Sequence, residues 1–422
     1  MARQVLALGL GSAGVVLVGP AAQAVDGADC TSINAIDTTG PAATDVSEPL
    51  EELQIRRAHE LVREASGREP GEGVTVAVLD SGVQALPQLP EVAEDRVPEF
   101  SKSPAYSWYH GTAMAGIIAG AARREDRPVG IAPAAQIYDQ RVYDTGEDND
   151  ELAQVTTDGV VAGLDRLRPL VGPSGIRIVT VALSVEESPA LEAAVKRVTE
   201  AGAIVVAASG NRTGEGDDYL PGEDYAEAVW PAGYAKNDRN RRVVAAGSTV
   251  PLGESAVGFV LQNSAIDVAV PTYGAVSYAI NRSTCAFYSP STSVAAATVS
   301  GVLALLWTVY PDENPDQIIA RLEVTASGGG TFDAEHPDKL VGRGVIQPLE
   351  ALQRAIQPDR KGRIPRSDEP ERAATPAVLP TPEPDVLAST RDNAIWWGLV
   401  GGGALLVAVL LRPVLARGRD RA

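Results

Sequence analysis

Val76-Ala-Val-Leu-Asp80-Ser-Gly-Val83 is an apolar run that ends in a carboxylate and a glycine turn. An apolar run without polar alternation reads as a strand covered on both faces. An Asp at its carboxyl end stands at the mouth of a parallel sheet, where α/β proteins form their sites. Working outward, strands are expected at Val74–Leu79, Ile137–Val142, Ile176–Leu183, Ile204–Ala208, Val243–Ala246 and Val268–Val270. Helical patterns alternate with them at Gly111–Ala122, Leu152–Arg168, Pro189–Ala201, Thr292–Tyr310, Pro315–Thr325 and Pro348–Ile356. Ser188-Pro189 and Asn314-Pro315 are cap-plus-first-residue starts. The alternation predicts an α/β fold, a mostly parallel sheet with helices on both faces.

Three further segments carry chemistry. His110-Gly-Thr-Ala-Met-Ala-Gly-Ile-Ile-Ala-Gly120 opens a helix of small residues with a histidine. Ser291-Thr-Ser293-Val-Ala-Ala-Ala-Thr-Val-Ser-Gly301 places serines at the head of an apolar helix, whose N-terminus favours developing negative charge. Ala207-Ala-Ser-Gly-Asn211 places an amide after a buried strand, a donor suited to an oxyanion. Each alone has a plainer reading: a turn former, a structural histidine, a helix cap. Together, in the order Asp, His, Asn, Ser, they point to nucleophilic catalysis. Only His59, His110 and His336 exist to supply an imidazole. His59, in a helical pattern with Arg56, Arg57 and Glu60, reads as a surface residue, and His336 as part of a turn.

These segments resemble those of the subtilisin-like serine proteases, whose patterns are D-S/T-G, H-G-T-x-x-A-G, G-N and G-T-S-x-A-x-P. The resemblance covers roughly residues 70 to 357. Ala113, where many subtilisins have another His, and the ends of the chain resemble the mycosin branch, the membrane-anchored proteases of actinobacterial type VII secretion. Gly342-Arg-Gly-Val-Ile-Gln-Pro-Leu349 resembles the segment near the end of the family's domain. The resemblance implies a three-layer subtilisin-like fold and a serine endopeptidase. It implies Asp80, His110 and Ser293 as the triad and Asn211 as the oxyanion donor. It implies a substrate strand along Leu183-Ser184-Val185, with the P1 side chain near Ala207–Gly210. Leu183, Ser184, Ala208, Ser209 and Gly210 are thus the expected substrate-binding set. Two departures stand out. Ser291 and Ala297 replace the family's Gly and Pro, and Glu186-Glu187 replace a frequent Gly pair. They keep a second function open: a weakly active or inactive scaffold stabilising the secretion membrane complex.

Length and charge are consistent with this. The 422 residues carry 36 basic and 55 acidic side chains, a net −19 that argues against general nucleic-acid binding. Residues 1–24 read as an export signal peptide ending at Ala22-Gln23-Ala24, or alternatively an N-terminal anchor. Residues 25–70 form an N-terminal extension and 71–357 the peptidase domain. Residues 358–393 hold seven prolines and read as a linker. Ala394–Leu411 is an uncharged apolar run, about 27 Å as a helix, and is expected to cross a membrane. The arginines of residues 412–422 would make this a cytoplasmic tail, leaving the catalytic domain outside. Cys30 and Cys285 are the only thiols; in an oxidising compartment they are expected to pair, the alternative being two free thiols. No cofactor is implied. The acidic stretches Glu147–Asp150 and Glu215–Asp218 match no EF-hand loop, so no metal is assigned. The expected partners are a protein or peptide substrate, the membrane and the type VII secretion complex.

Overall fold

The computed structural model describes residues 29–33, 43, 46–124, 127–212, 229–236, 242–249, 259–328, 338–364, 396, 397, 399, 400 and 402. The chain divides into two units, Met1–Pro365 and Arg366–Ala422. The first contains a seven-stranded sheet: β1 (Thr75–Asp80), β2 (Val92–Arg96), β3 (Gln136–Arg141), β4 (Ile176–Val181), β5 (Ile204–Ala208), β6 (Val243–Thr249) and β7 (Val268–Pro271). Their order is β2-β3-β1-β4-β5-β6-β7, and every pairing is parallel. The direction of winding reverses at β1. The crevice beyond the carboxyl ends of β1 and β4 is therefore the switch point where such sheets bind ligands.

Side-chain alternation along the strands divides the core into two layers. Val76 and Val78 face one side, with helices α3 (His110–Ala119) and α6 (Thr292–Val309). Ala77 and Leu79 face the other, with α4 (Thr157–Leu167) and α5 (Pro189–Ala201). This is the expected three-layer arrangement. α6 is apolar and long enough to span a bilayer, but almost all of it is buried within the fold. Its polar residues are satisfied internally: Ser300 Oγ donates to Ala296 O and accepts from Thr180 Oγ1.

Most expected elements are present, with shifted ends. The helix expected from Leu152 begins at Thr157, because Ala153 N donates to the buried Asp144 carboxylate and Thr156 caps Gly159 N. The strand expected to reach Leu183 ends at Val181. β2 was not expected, since Val-Ala-Glu-Asp-Arg is a largely polar, partly exposed edge strand. The hairpin of β8 (Ala275–Tyr278) and β9 (Thr284–Phe287) was also not expected.

The N-terminal extension is built into this unit. Helix α2 (Ile55–Ser66) follows α1 (Glu48–Glu52) and packs against α6 and α8 (Pro348–Gln353), burying Ile55, Ala58 and Val62. His59 is not a surface residue: it is buried, and its Nε2 donates to Ile131 O at 2.7 Å. Burial pushes its pKa down. It lies on the apolar face of α2, one turn from Val62, which outweighs its charged sequence neighbours. Cys30 and Cys285 form a disulfide, and Asp29 bridges to Ala286 beside it. Residues 1–24 and His336 lie outside the described residues, as do most of the linker and of the Ala394–Leu411 run. In the second unit Trp396, Trp397, Leu399 and Val400 are helical and exposed.

Candidate active site

Asp80 ends β1 and is fully buried. His110 opens α3, and its Nδ1 lies 2.8 and 3.0 Å from the two Asp80 oxygens. Two more donors fix the carboxylate: Ser81 N at 2.7 Å and the Tyr143 hydroxyl at 2.8 Å, both to Oδ1. Ser81 Oγ in turn accepts from Gly111 N, so the β1 turn and the first turn of α3 hold each other. The approach requires glycines. A Cβ on Gly111 would sit 2.5 Å from Gly82 O, and Gly82 has φ of +99°.

The electrostatics follow from this geometry. Burial disfavours the imidazolium of His110, but the Asp80 charge and hydrogen bond outweigh burial and raise the pKa. Burial, reinforced by Asp80, lifts the Tyr143 hydroxyl well above its ordinary value, so it stays a donor.

Ser293 is on the first turn of α6 and buried. Its Oγ donates to Ala182 O at 2.7 Å. In the β1–β4 register Val78 stands beside Thr180, so Asp80, the last residue of β1, and Ala182, the residue after β4, each lie two residues beyond that pair. The Asp80–His110 pair and Ser293 are thus placed at the carboxyl ends of the adjacent strands β1 and β4. Among the described residues the Ser293 hydroxyl is bonded to Ala182 and not to His110. Catalytic hydrogen bonds are often unformed before substrate binds.

Asn211 is tied to the same loop. Its Oδ1 accepts from Thr292 N at 2.8 Å and Thr292 Oγ1 at 3.0 Å, while Gly210 N donates to Thr292 Oγ1. The amide carbonyl is thereby committed to the Ser293 loop, and Nδ2 remains as the donor end. Ser291 caps α6 with φ of −143°, an extended conformation open to any residue. Serine in place of the family's glycine therefore introduces no backbone strain here.

The expected substrate-binding residues divide by exposure. Leu183, Ala208, Ser209 and Gly210 are buried, so Ser184 is the exposed member. Asn263 supports the loop by donating from Nδ2 to Ser209 O. Tyr143, Thr292 and Asn263 were not anticipated, as no local motif marks them. A cavity of about 880 Å³ lined by Arg56, His59 and Arg63 contains none of these site residues. Among the described residues no cluster of His, Cys, Asp and Glu could hold a metal ion.

Comparison with known proteins agrees with the geometry. The subtilase family model matches residues 71–344. Mycosin-1 of Mycobacterium tuberculosis is 30% identical over 385 residues, covering 82% of each chain. This chain belongs to the subtilase family, in its mycosin branch. The subtilase also superposes on the crystal structure of MycP1 from the ESX-1 type VII secretion system, with TM-score 0.57 and 25% identity over 74% of this chain and 87% of that one. A chain of an intact ESX-5 inner membrane complex shares the fold, with TM-score 0.58 and 21% identity over 92% and 95%. As a mycosin-type subtilase it is a serine endopeptidase.

Proposed function

We propose that this subtilase is exported, anchored by one C-terminal helix, and processes a protein secreted through type VII machinery. The observation that carries the catalytic part is the buried Asp80 carboxylate, held by three donors and paired with His110 at the head of α3. Ser293 Oγ turns from Ala182 O to His110 Nε2 when substrate enters. It then attacks the scissile carbonyl while His110 takes its proton. Asp80 stabilises the imidazolium. Asn211 Nδ2 and the Ser293 N–H hold the oxyanion. His110 gives its proton to the leaving amine, and water completes the cycle by the same route. Substrate lies as an added strand along Leu183-Ser184-Val185.

The secretion link is supported by the M. tuberculosis mycosin-1 relative and by the MycP1 structure. The anchor is supported by the uncharged run Ala394–Leu411. A second reading, a scaffold with little catalysis, is favoured by one observation: Ser293 Oγ is engaged by Ala182 O. Replacing the native gene with Ser293→Ala and comparing exported proteins separates them. The protease reading predicts that at least one exported protein keeps its full length in the variant. Identical processing in variant and wild type contradicts it and favours the scaffold.

A further inference from the structure

The cleft edge that would receive substrate carries an unexplained charge. Val185 N donates to Trp230 O at 2.9 Å, in an antiparallel bridge. Along an extended chain, neighbouring residues turn their N–H and C=O to opposite edges. With Val185 committed to Trp230, Ser184 and Glu186 therefore present theirs to the other edge. Among the described residues no backbone group pairs with Ser184 N, Ser184 O or Glu186 N. Both residues are exposed. Glu186 is also held from α4, since Thr157 Oγ1 donates to its carbonyl at 3.1 Å. This edge is fixed, and apart from the Glu186 carbonyl its groups are open to an added strand. Its far end bears a carboxylate with no ion pair among the described residues.

Ser293 Oγ meets Ala182 O, two residues before Ser184, so the reacting end of this edge is its Ser184 end. The added strand is taken as antiparallel, with the residue whose carbonyl is attacked opposite Ser184. The residue two places upstream then lies opposite Glu186. Directly opposed residues share a face, with Cβ atoms about 5 Å apart. We propose that Glu186 selects a lysine or arginine at this upstream position. The inference rests on the added-strand reading above and specifies its substrate class: peptides basic two residues before the cleaved bond. Glu187 belongs to the other side. It is near Tyr234, whose hydroxyl is pushed up to about 12 by burial and then by the charges of Glu187 and Glu192.

The test uses the full chain in detergent and two fluorogenic peptides that differ only by Lys or Glu at that position. The Lys peptide should be cleaved about fivefold to tenfold faster in kcat/KM, because attraction is exchanged for repulsion at a rim site. High salt should narrow the ratio. Glu186→Gln should remove most of it, Glu186→Lys should invert it, and Glu187→Lys should leave it. Equal rates in the wild type, or an unchanged preference in Glu186→Lys, overturn the inference. Labelling of Ser293 by a fluorophosphonate does not depend on the upstream side chain. A chain that labels and cleaves both peptides equally refutes the Glu186 role alone. If neither labelling nor cleavage occurs, anisotropy of the two peptides on Ser293→Ala decides. Tighter binding of the Lys peptide sustains the inference, and equal affinity overturns it.

Discussion

Tyr143 reaches Asp80 across 63 residues of sequence, and its hydroxyl is buried against the carboxylate. Tyr143→Phe removes a donor and should cost about 1–2 kcal/mol of stability. A less stabilised carboxylate holds the imidazolium more strongly, so the midpoint of the pH–rate profile should move up. In the wild type the raised His110 pKa already sets the sign: the base form accumulates only above it. The kcat/KM profile should therefore rise with pH through a midpoint above the ordinary 6.5, and a midpoint below that would contradict the pairing. The same pair's contribution to stability is full at low pH and is lost as pH rises through the folded pKa. Asp139 shifts stability in the same sense, through burial and not through a charged partner. Buried in β3, with Oδ2 accepting from Val83 N and Oδ1 unpartnered, its carboxyl is pushed up to about 8 by burial. Folding keeps its proton while the unfolded chain loses it, so stability falls between about pH 4 and 8. Asp139→Asn should gain melting temperature over the wild type progressively through that range, as thermal unfolding at several pH values would show. Asp80, His110 and Ser293 were legible because each sits in a short motif at the end of an element. Tyr143 and Thr292 were not, because their roles exist only after distant segments meet.

The heads of two helices do most to build the site. α3 presents His110 because glycine at 111 lets it press onto the β1 turn. α6 presents Ser293 because Ser291 caps it and Thr292 binds Asn211 with both N–H and hydroxyl. Asn211→Ala should reduce kcat about 10²–10³-fold, the usual cost of losing an oxyanion donor, with little change in KM. Ser291→Gly should cost only a few tenths of a kcal/mol, and Ser291→Ala about 1 kcal/mol, by thermal or denaturant unfolding. Apolar runs and cap residues marked these elements well enough to place strands and helices in order. Edges were less legible. β2 is polar and partly exposed, so no hydrophobic period announces it. The loop before Thr157 carries apolar residues, yet its backbone is claimed by Asp144. The side of α2 on which His59 falls is set by α6 and α8, which sequence neighbours cannot reveal.

At the scale of the first unit, the N-terminal extension is part of the fold. α2 contributes to the core, and Cys30–Cys285 closes a loop of 255 residues ahead of α6. In the chain-entropy model such a closure is worth on the order of 5 kcal/mol, and engineered cases often give less. Cys30→Ser with Cys285→Ser should therefore lower the melting temperature by many degrees, and an unchanged melting curve would show that α2 packing alone suffices. Two lone cysteines in the sequence left pairing and free thiols both open, because only the folded hairpin brings them together. The central claim is that Ser293 is an activated nucleophile within this fold. It is tested most directly by treating the folded protein with a fluorophosphonate probe and locating the adduct by mass spectrometry. Asp80, His110 and Asn211 at one switch point predict a single adduct on Ser293, absent in Ser293→Ala and strongly slowed in His110→Ala. A folded protein that takes no label at Ser293, or that labels equally well without His110, would contradict it.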